Sequence, residues 1–336
     1  MPDFLHSQPE SNCLEEKRPL VSILINNYNY GCYLSQAIDS ALAQTYTNVE
    51  VIVVDDGSQD NSQDILKNYS NQNIKIIIKP NGGQASAFNA GFFAASGDIV
   101  CFLDADDYFY PEKVMEIVAL FQGNTTIGWI FHKLAYVTAE DEKLEVKDPS
   151  RYLTESQVVD FQNVLRQGKR FTHTIPCGLC FRKSLLSNIL PMPESEGVTI
   201  SDNYIKYSAL FLSSGLLLTK QLAVQRIHSQ NSYTFRDDRH KLRAEINIKL
   251  GFYLRQTFPQ MHRFANKRFA EGCGEMLAEG GWLNLYAVSE FKHYLQQYRS
   301  LPTLAEIIPK TLLQIARFRL QKLKFSPSSS SRPTSD

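Results

Sequence analysis

The sequence predicts an α/β fold: a mostly parallel sheet flanked by helices, followed by a helical C-terminal extension. Three observations carry this. Four short apolar runs, at residues 20–26, 49–54, 74–79 and 99–103, are rich in branched side chains and bounded by Asn, Asp and Gly. Such runs suit strands buried on both faces. Helical patterns separate them, and strand–helix–strand repetition implies right-handed crossovers between parallel strands. From about residue 238 to 325 the pattern is helical alone.

Taken in order, residues 1–18 are polar, carry no apolar segment of signal type, and read as a disordered leader. The first strand leads into a helix whose Leu34, Ala37, Ile38, Ala41 and Leu42 form one apolar stripe. After the second strand, Asp60 reads as the N-cap of a helix with Ile65 and Leu66 facing inward. A third helix spans 85–95. A fourth starts at Pro111, where proline costs no hydrogen bond. The rhythm fades after residue 123. Residues 127–137 suit one or two strands, 140–148 a charged loop, 160–167 a helix and 174–182 a strand. Residues 203–219 read as mainly helical and 222–228 as a last strand. The tail, 326–336, is low-complexity and reads as disordered. The expected division is a leader (1–18), an α/β domain (19–235) with halves 19–123 and 124–235, a helical region (236–325) and the tail.

Composition narrows the function. The 336 residues are 43% hydrophobic and 21% charged, enough apolar material for a sizeable core. Lys+Arg and Asp+Glu both number 35, so the basic excess of a generic nucleic-acid binder is absent and no nucleic acid is expected as partner. The six cysteines, Cys13, Cys32, Cys101, Cys177, Cys180 and Cys273, are too sparse for a disulfide scaffold and suit a reducing cytoplasm. No apolar run is long enough to span a bilayer; the best, residues 209–218, is short and holds two serines and a glycine.

Chemistry gathers where the strands end. The first runs into Asn26-Asn27-Tyr28-Asn29, the second into Asp55-Asp56-Gly57-Ser58, and the fourth into Asp104-Ala105-Asp106-Asp107. Ligands of open α/β sheets bind at these carboxyl ends. Clustered carboxylates repel unless a cation neutralises them, and oxygen-rich sites suit magnesium or manganese held together with substrate phosphates. Acids after strands are also ordinary turn formers, but three within four positions directly after a buried strand exceed that need. No G-x-G-x-x-G follows the first strand and no G-x-x-x-x-G-K-[ST] occurs, which disfavours dinucleotide-binding and P-loop sites. A phosphatase-type Asp-x-Asp would follow the first strand, not the fourth.

Four segments, VSILINNYN (21–29), VVDDGS (53–58), NGGQASAFNAG (81–91) and GDIVCFLDADD (97–107), occur in order about 25 residues apart. Together they resemble the nucleotide-binding half of glycosyltransferase family 2, and the resemblance covers about residues 19–235. It implies the GT-A fold and an inverting transfer of one sugar from a nucleoside diphosphate sugar, by family habit UDP-linked, to a hydroxyl. By that resemblance Asp56 accepts a hydrogen bond from the base, while Asn27 and Tyr28 lie against base and ribose. Asn81, Gly82 and Gly83 form a loop near the donor. Asp106 binds a divalent cation (Mn or Mg) bridging the diphosphate, and Asp104 holds ribose or metal waters. The position where many relatives carry an Arg is Phe88 here, which removes a phosphate or sugar contact.

In the second half Asp202 matches the family's second acidic motif, with Ser201 in place of its first acid. It is the candidate general base, although Asp also commonly caps a helix. Arg226-Ile227-His228 resembles the family's R-x-H segment, in which His228 completes the metal shell; a surface histidine is the other reading. His132 and His173 lack motif support and read as structural. Cys177 and Cys180 form only one pair, short of a structural zinc set, and read as packing residues. Residues 310–325 hold five basic residues and no acid among Leu312, Leu313, Ile315, Leu320 and Leu323. Such a helix can lie on anionic lipid or pack on the domain with a solvated basic face.

These readings predict a cytoplasmic, non-processive transferase acting on a glycan or lipid-linked acceptor in polysaccharide or cell-envelope synthesis. The Q-x-x-R-W segment and membrane helices of processive relatives are missing from the sequence. The rivals are a sugar-phosphate nucleotidyltransferase, which would carry a Gly-rich Arg/Lys loop after the first strand, and a non-catalytic nucleotide-sugar- or glycan-binding subunit.

Overall fold

The structure is a computed structural model and describes residues 18–70, 73–146, 153–169, 178–194, 200–229, 231 and 238–325. The leader up to residue 17, the tail, Cys13, His173, Cys177 and the side chain of Ser201 lie outside the described residues, as do positions 174–177 of the expected strand.

Strands β1 (Val21–Asn27), β2 (Val49–Asp55), β3 (Ile74–Ile78) and β4 (Ile99–Asp104) pair in parallel, in the order β3-β2-β1-β4. Helices α1 (Gly31–Leu42), α2 (Ser62–Lys67) and α3 (Gly83–Ala94) connect them. The strands are apolar on both sides because both sides are covered. Leu24, Ile52, Val54, Val100 and Phe102 enter one core; Ile23, Ile25, Val51, Val53 and Leu103 enter the other. This is the two-residue alternation of a pleated strand with both faces buried. Asp60 does not sit at the N-cap: α2 begins at Ser62, and the carboxylate accepts from Ser62 N (3.0 Å) and Gly31 N (2.8 Å). It therefore ties the starts of α1 and α2 together.

Past β4 the sheet becomes mixed. The elements are β5 (Tyr108–Phe109), α4 (Lys113–Gly123), β6 (Trp129–Val137), β7 (Gln157–Val159), α5 (Gln162–Arg166), β8 (Gly178–Arg182), α6 (Lys183–Leu186), α7 (Ser201–Leu212) and β9 (Gly215–Arg226). Beyond β4 the order continues β8-β6-β9-β5, with β7 also on β9, for nine strands among the described residues. Every pairing added here is antiparallel except β6 with β9. The expected helix over 203–219 stops at Leu212, and the last strand begins at Gly215, seven residues before the expected start. Leu216-Leu217-Leu218 continues a helical pattern equally well, and only its pairing with β6 and β7 makes it a strand.

Four helices follow: α8 (Arg239–Thr257), α9 (His262–Ala287), α10 (Ser289–Tyr298) and α11 (Leu301–Phe325). They do not form a separate body. Leu250, Leu254, Phe258, Met261, Phe264 and Ala265 share one core with α3, α7 and the sheet. Close α8–α9 packing depends on Gly251 and Gly272, where an added Cβ would lie 2.6 Å from Phe269 N and 2.5 Å from Ala244 O.

Candidate active site

Strand register aligns the chemistry. Asn27 pairs with Asp55 and Asn26 with Asp104, so the turns after β1, β2 and β4 leave the sheet side by side. Asp55 also pairs with Ile78, which brings Lys79 and the following loop to the same edge.

The first half of the edge is a cradle around Asp56. Its buried carboxylate accepts from Gly82 N (3.0 Å), Gly83 N (2.7 Å) and Lys79 Nζ (2.5 Å). Gly57 turns the chain here with φ of 76°, and a Cβ at that position would stand 2.6 Å from Asn81 N. Asn27 donates to Asp55 (2.7 Å) and Ser58 Oγ (3.1 Å), and its buried amide oxygen has no partner. Tyr28 stands at the rim, 43% exposed. Asn81 and Gly83 thus flank Asp56, and Asn27 and Tyr28 open the same edge.

The second half is the acidic turn. Asp104 ends β4, Asp106 is buried, and Asp107 accepts from Arg226 N at 2.9 Å. The buried Arg226 holds the turn from below: its Nε donates to Asp106 O (3.2 Å) and its guanidinium pairs with Asp141 (2.8 Å). His228 Nε2 lies 3.1 Å from Asp106 Oδ2, which also accepts from Asn231 Nδ2 at 3.1 Å. Asp104 opens toward solvent at the mouth, but the surrounding protein displaces bulk water. That desolvation, followed by the charges of Asp106 and Asp202, raises its pKa to about 7, with Gln84 and Asn26 opposing. Desolvation, then Asp106 and Asp104, also pushes Asp107 well up, against Arg226.

A cavity of about 210 Å³ lies beside the turn, lined by Asp104, Asp202, Gln84, Phe88, Asp107 and Lys113 among others. Asp202 is in the first turn of α7, its side chain is 39% exposed, and it lies 3.5 Å from Lys206 Nζ. The structure therefore brings Asp202 to Asp104 across the cavity from a position 98 residues away in the chain. Phe88 is buried against Phe102, and an arginine in this place would have to enter that contact.

Sequence reasoning missed Lys79 and Lys113. Lys113 is fully buried, its ammonium lies 3.2 Å from the centre of the Phe109 ring, and it makes no hydrogen bond. Burial lowers its pKa, opposed by Cys180, Cys101 and Asp107. A signal was present: Lys113, Ile117 and Phe121 recur every four residues, so a cation sits on the apolar stripe of α4. Cys180 is buried and faces Cys101 across β8 and β4. His132 is buried in β6 with Nδ1 2.8 Å from Lys133 O.

Asp106 Oδ2 and His228 Nε2 touch each other at 3.1 Å, and a carboxylate oxygen with an imidazole nitrogen is a donor pair whose chemistry suits manganese. Among the described residues no three His, Cys, Asp or Glu side chains converge on one point, so other positions would fall to substrate oxygens and water.

The chain is similar to known glycosyltransferases. An uncharacterized glycosyltransferase of Nostoc sp. is 36% identical over 216 residues, covering 63% of this chain and 66% of that protein. Chondroitin synthase of Pasteurella multocida is 39% identical over 115 residues, 34% of this chain and 12% of its own length. The chain thus spans just under two thirds of the Nostoc relative and much less of the synthase. Among solved structures, S. aureus TarS 1–349 in complex with UDP-GlcNAc superposes with a TM-score of 0.57 at 20% identity, covering 91% of this chain and 85% of that one. That likeness shows the fold. The sequence profile of Glycosyl transferase family 2 matches residues 22–190, about half of the chain, from β1 through α6. With the Asp56 cradle and the acidic turn both inside that span, the chain belongs to glycosyltransferase family 2.

Proposed function

We propose that the protein transfers a single sugar from a nucleoside diphosphate sugar to a hydroxyl acceptor with inversion. The observation that carries this reading is the meeting of Asp104 and Asp202 across one cavity next to the Asp56 cradle. The TarS complex with UDP-GlcNAc favours a UDP-linked donor. The base would lie in the cradle formed by Asp56, Asn27 and Tyr28, with Asn81 and Gly83 behind it. Asp104 would hold the ribose or ordered water. A manganese or magnesium ion, where Asp106 and His228 hold it, supplies positive charge that offsets charge building on the diphosphate.

Asp202 is the base in this reading. Its carboxylate takes the proton of the acceptor hydroxyl as that oxygen attacks the anomeric carbon. The bond from the anomeric carbon to the diphosphate oxygen breaks on the opposite face, and its electron pair leaves on the nucleoside diphosphate. Lys206, 3.5 Å away, would orient the Asp202 carboxylate. Apolar Phe88 and Phe102 limit water in the cavity, which favours transfer over hydrolysis.

The test is a panel of nucleoside diphosphate sugars offered to the wild type and to Asp106→Ala, with and without manganese. One donor should bind and be slowly hydrolysed in a metal-dependent way, and both effects should vanish in the variant. Binding without turnover in the wild type, or turnover indifferent to Asp106, would overturn the catalytic reading. A product in which a nucleotide has been attached to a sugar phosphate would replace it with nucleotidyl transfer.

A further inference from the structure

Helix α11 has two apolar faces, and only one is used. Thr303, Ile307 and Phe318 are buried against the neighbouring helices. The opposite face carries Leu301, Ile308 and Leu312, which are 83%, 52% and 60% exposed, with Leu313 and Leu320 on its shoulder. These positions recur at helical spacing, so they form a stripe rather than scattered contacts. Past Glu306, which pairs with Lys310, α11 carries basic residues and no acid, and Arg317 and Arg319 are exposed at its end.

A second apolar group stands at the same end of the helical region. Asn266 bonds Glu306, and Glu275 bonds Gln314, so α9 and α11 run parallel at a constant offset. That offset places residue 282 of α9 level with the last turn of α11. There Gly281 leaves helical geometry with φ of 72°. The kink presents Trp282, Leu283 and Tyr286, which are 57%, 84% and 52% exposed. Lys292 covers the Tyr286 ring at 4.9 Å. His240 meets Phe318, which brings the start of α8, with exposed Lys241 and Arg243, to this end too.

We propose that this surface, the outward face of α11 with the α9 kink, docks on an anionic lipid bilayer. Exposed Trp and Tyr beside Leu suit the interfacial zone, and clustered Lys and Arg suit anionic headgroups. No helix among the described residues is long and apolar enough to cross a membrane, so the contact lies on the surface. Six residues, and so seven Cα–Cα steps, separate Asn231, at the acidic turn, from Asp238 at the start of α8. They reach about 25 Å at most. The bilayer would thus lie near the cavity, and, resting on the transferase reading, the acceptor hydroxyl would be one presented on a lipid.

The experiment floats the full chain with vesicles of phosphatidylcholine alone or mixed with phosphatidylglycerol, at low and high salt. Trp282 is a built-in probe, because the other tryptophan, Trp129, is fully buried. Flotation with the anionic vesicles and a blue shift of emission are expected, both weakened at least about tenfold by high salt or by Arg317→Glu with Arg319→Glu. Trp282→Ser with Leu283→Ser should abolish flotation while donor hydrolysis persists. No flotation on anionic vesicles, or flotation indifferent to both double variants, overturns the proposal. Self-association that uses this face and excludes vesicles would also overturn it, by assigning the face to a second copy. Flotation with no donor hydrolysis would leave the surface standing and remove the transferase reading instead.

Discussion

Asp202 illustrates how a single carboxylate acquires a role from its surroundings. It stands in the first turn of α7, as many aspartates do in helices, and it also faces Asp104 across the cavity. Asp202→Asn is expected to lower the transfer rate by roughly 10²–10⁴-fold with donor affinity unchanged, as for loss of a general base. Steady-state rates with donor titration by calorimetry check this, and an unchanged rate would return Asp202 to a structural part. Asp56→Asn should act differently. It weakens charge-assisted bonds to Gly82, Gly83 and Lys79, each worth about 1.5–3 kcal/mol. Donor affinity and melting temperature should both fall; full donor affinity would separate Asp56 from base recognition. At this scale the sequence was most legible where chemistry follows a strand directly, as at Asp56, Asp104 and Asp106. It was least legible where a partner arrives from elsewhere, as Lys79 does through the β2–β3 register and Lys113 from inside α4.

Elements are limited by what their neighbours leave room for. Gly215 starts β9 directly over Trp129, and a Cβ there would lie 2.0 Å from the indole. Gly215→Ala should cost about 1–3 kcal/mol through forced repacking. Gly123 closes α4 with nothing within 4 Å of an added Cβ, so Gly123→Ala should be neutral or stabilise by about 0.4–1 kcal/mol. Chemical denaturation of the pair measures both, and equal effects would contradict the steric account. β9 also shows why its boundary was misread. Its first residues are apolar without alternation because Leu216 and Leu218 enter one core and Leu217 the other, and a helix core leaves the same composition.

The whole molecule is one packed unit among its described residues. The helical region shares the core built by α3, α7 and the sheet, through Leu250, Leu254, Phe258 and Phe264. Removing everything after residue 237 would expose that core, and the truncated chain should aggregate or fail to fold cooperatively. The intact chain should unfold in a single calorimetric transition. Two separated transitions, or a soluble folded truncation, would mean that the helices form an independent domain.

The sequence alone determined the strand–helix rhythm of residues 20–123, the helical nature of residues 238–325, the polar Asn-Tyr turn at the carboxyl end of β1, and the acids at the carboxyl ends of β2 and β4. Each of these is local: periodicity and turn chemistry act over a few residues. Tertiary structure decided the rest. It placed Asp202 opposite Asp104, set His228 against Asp106, turned residues 215–219 into a strand, buried Lys113 under the acidic turn, and left one face of α11 uncovered. Those outcomes depend on register and packing between segments far apart in the chain, and neither is written in the pattern of any one segment.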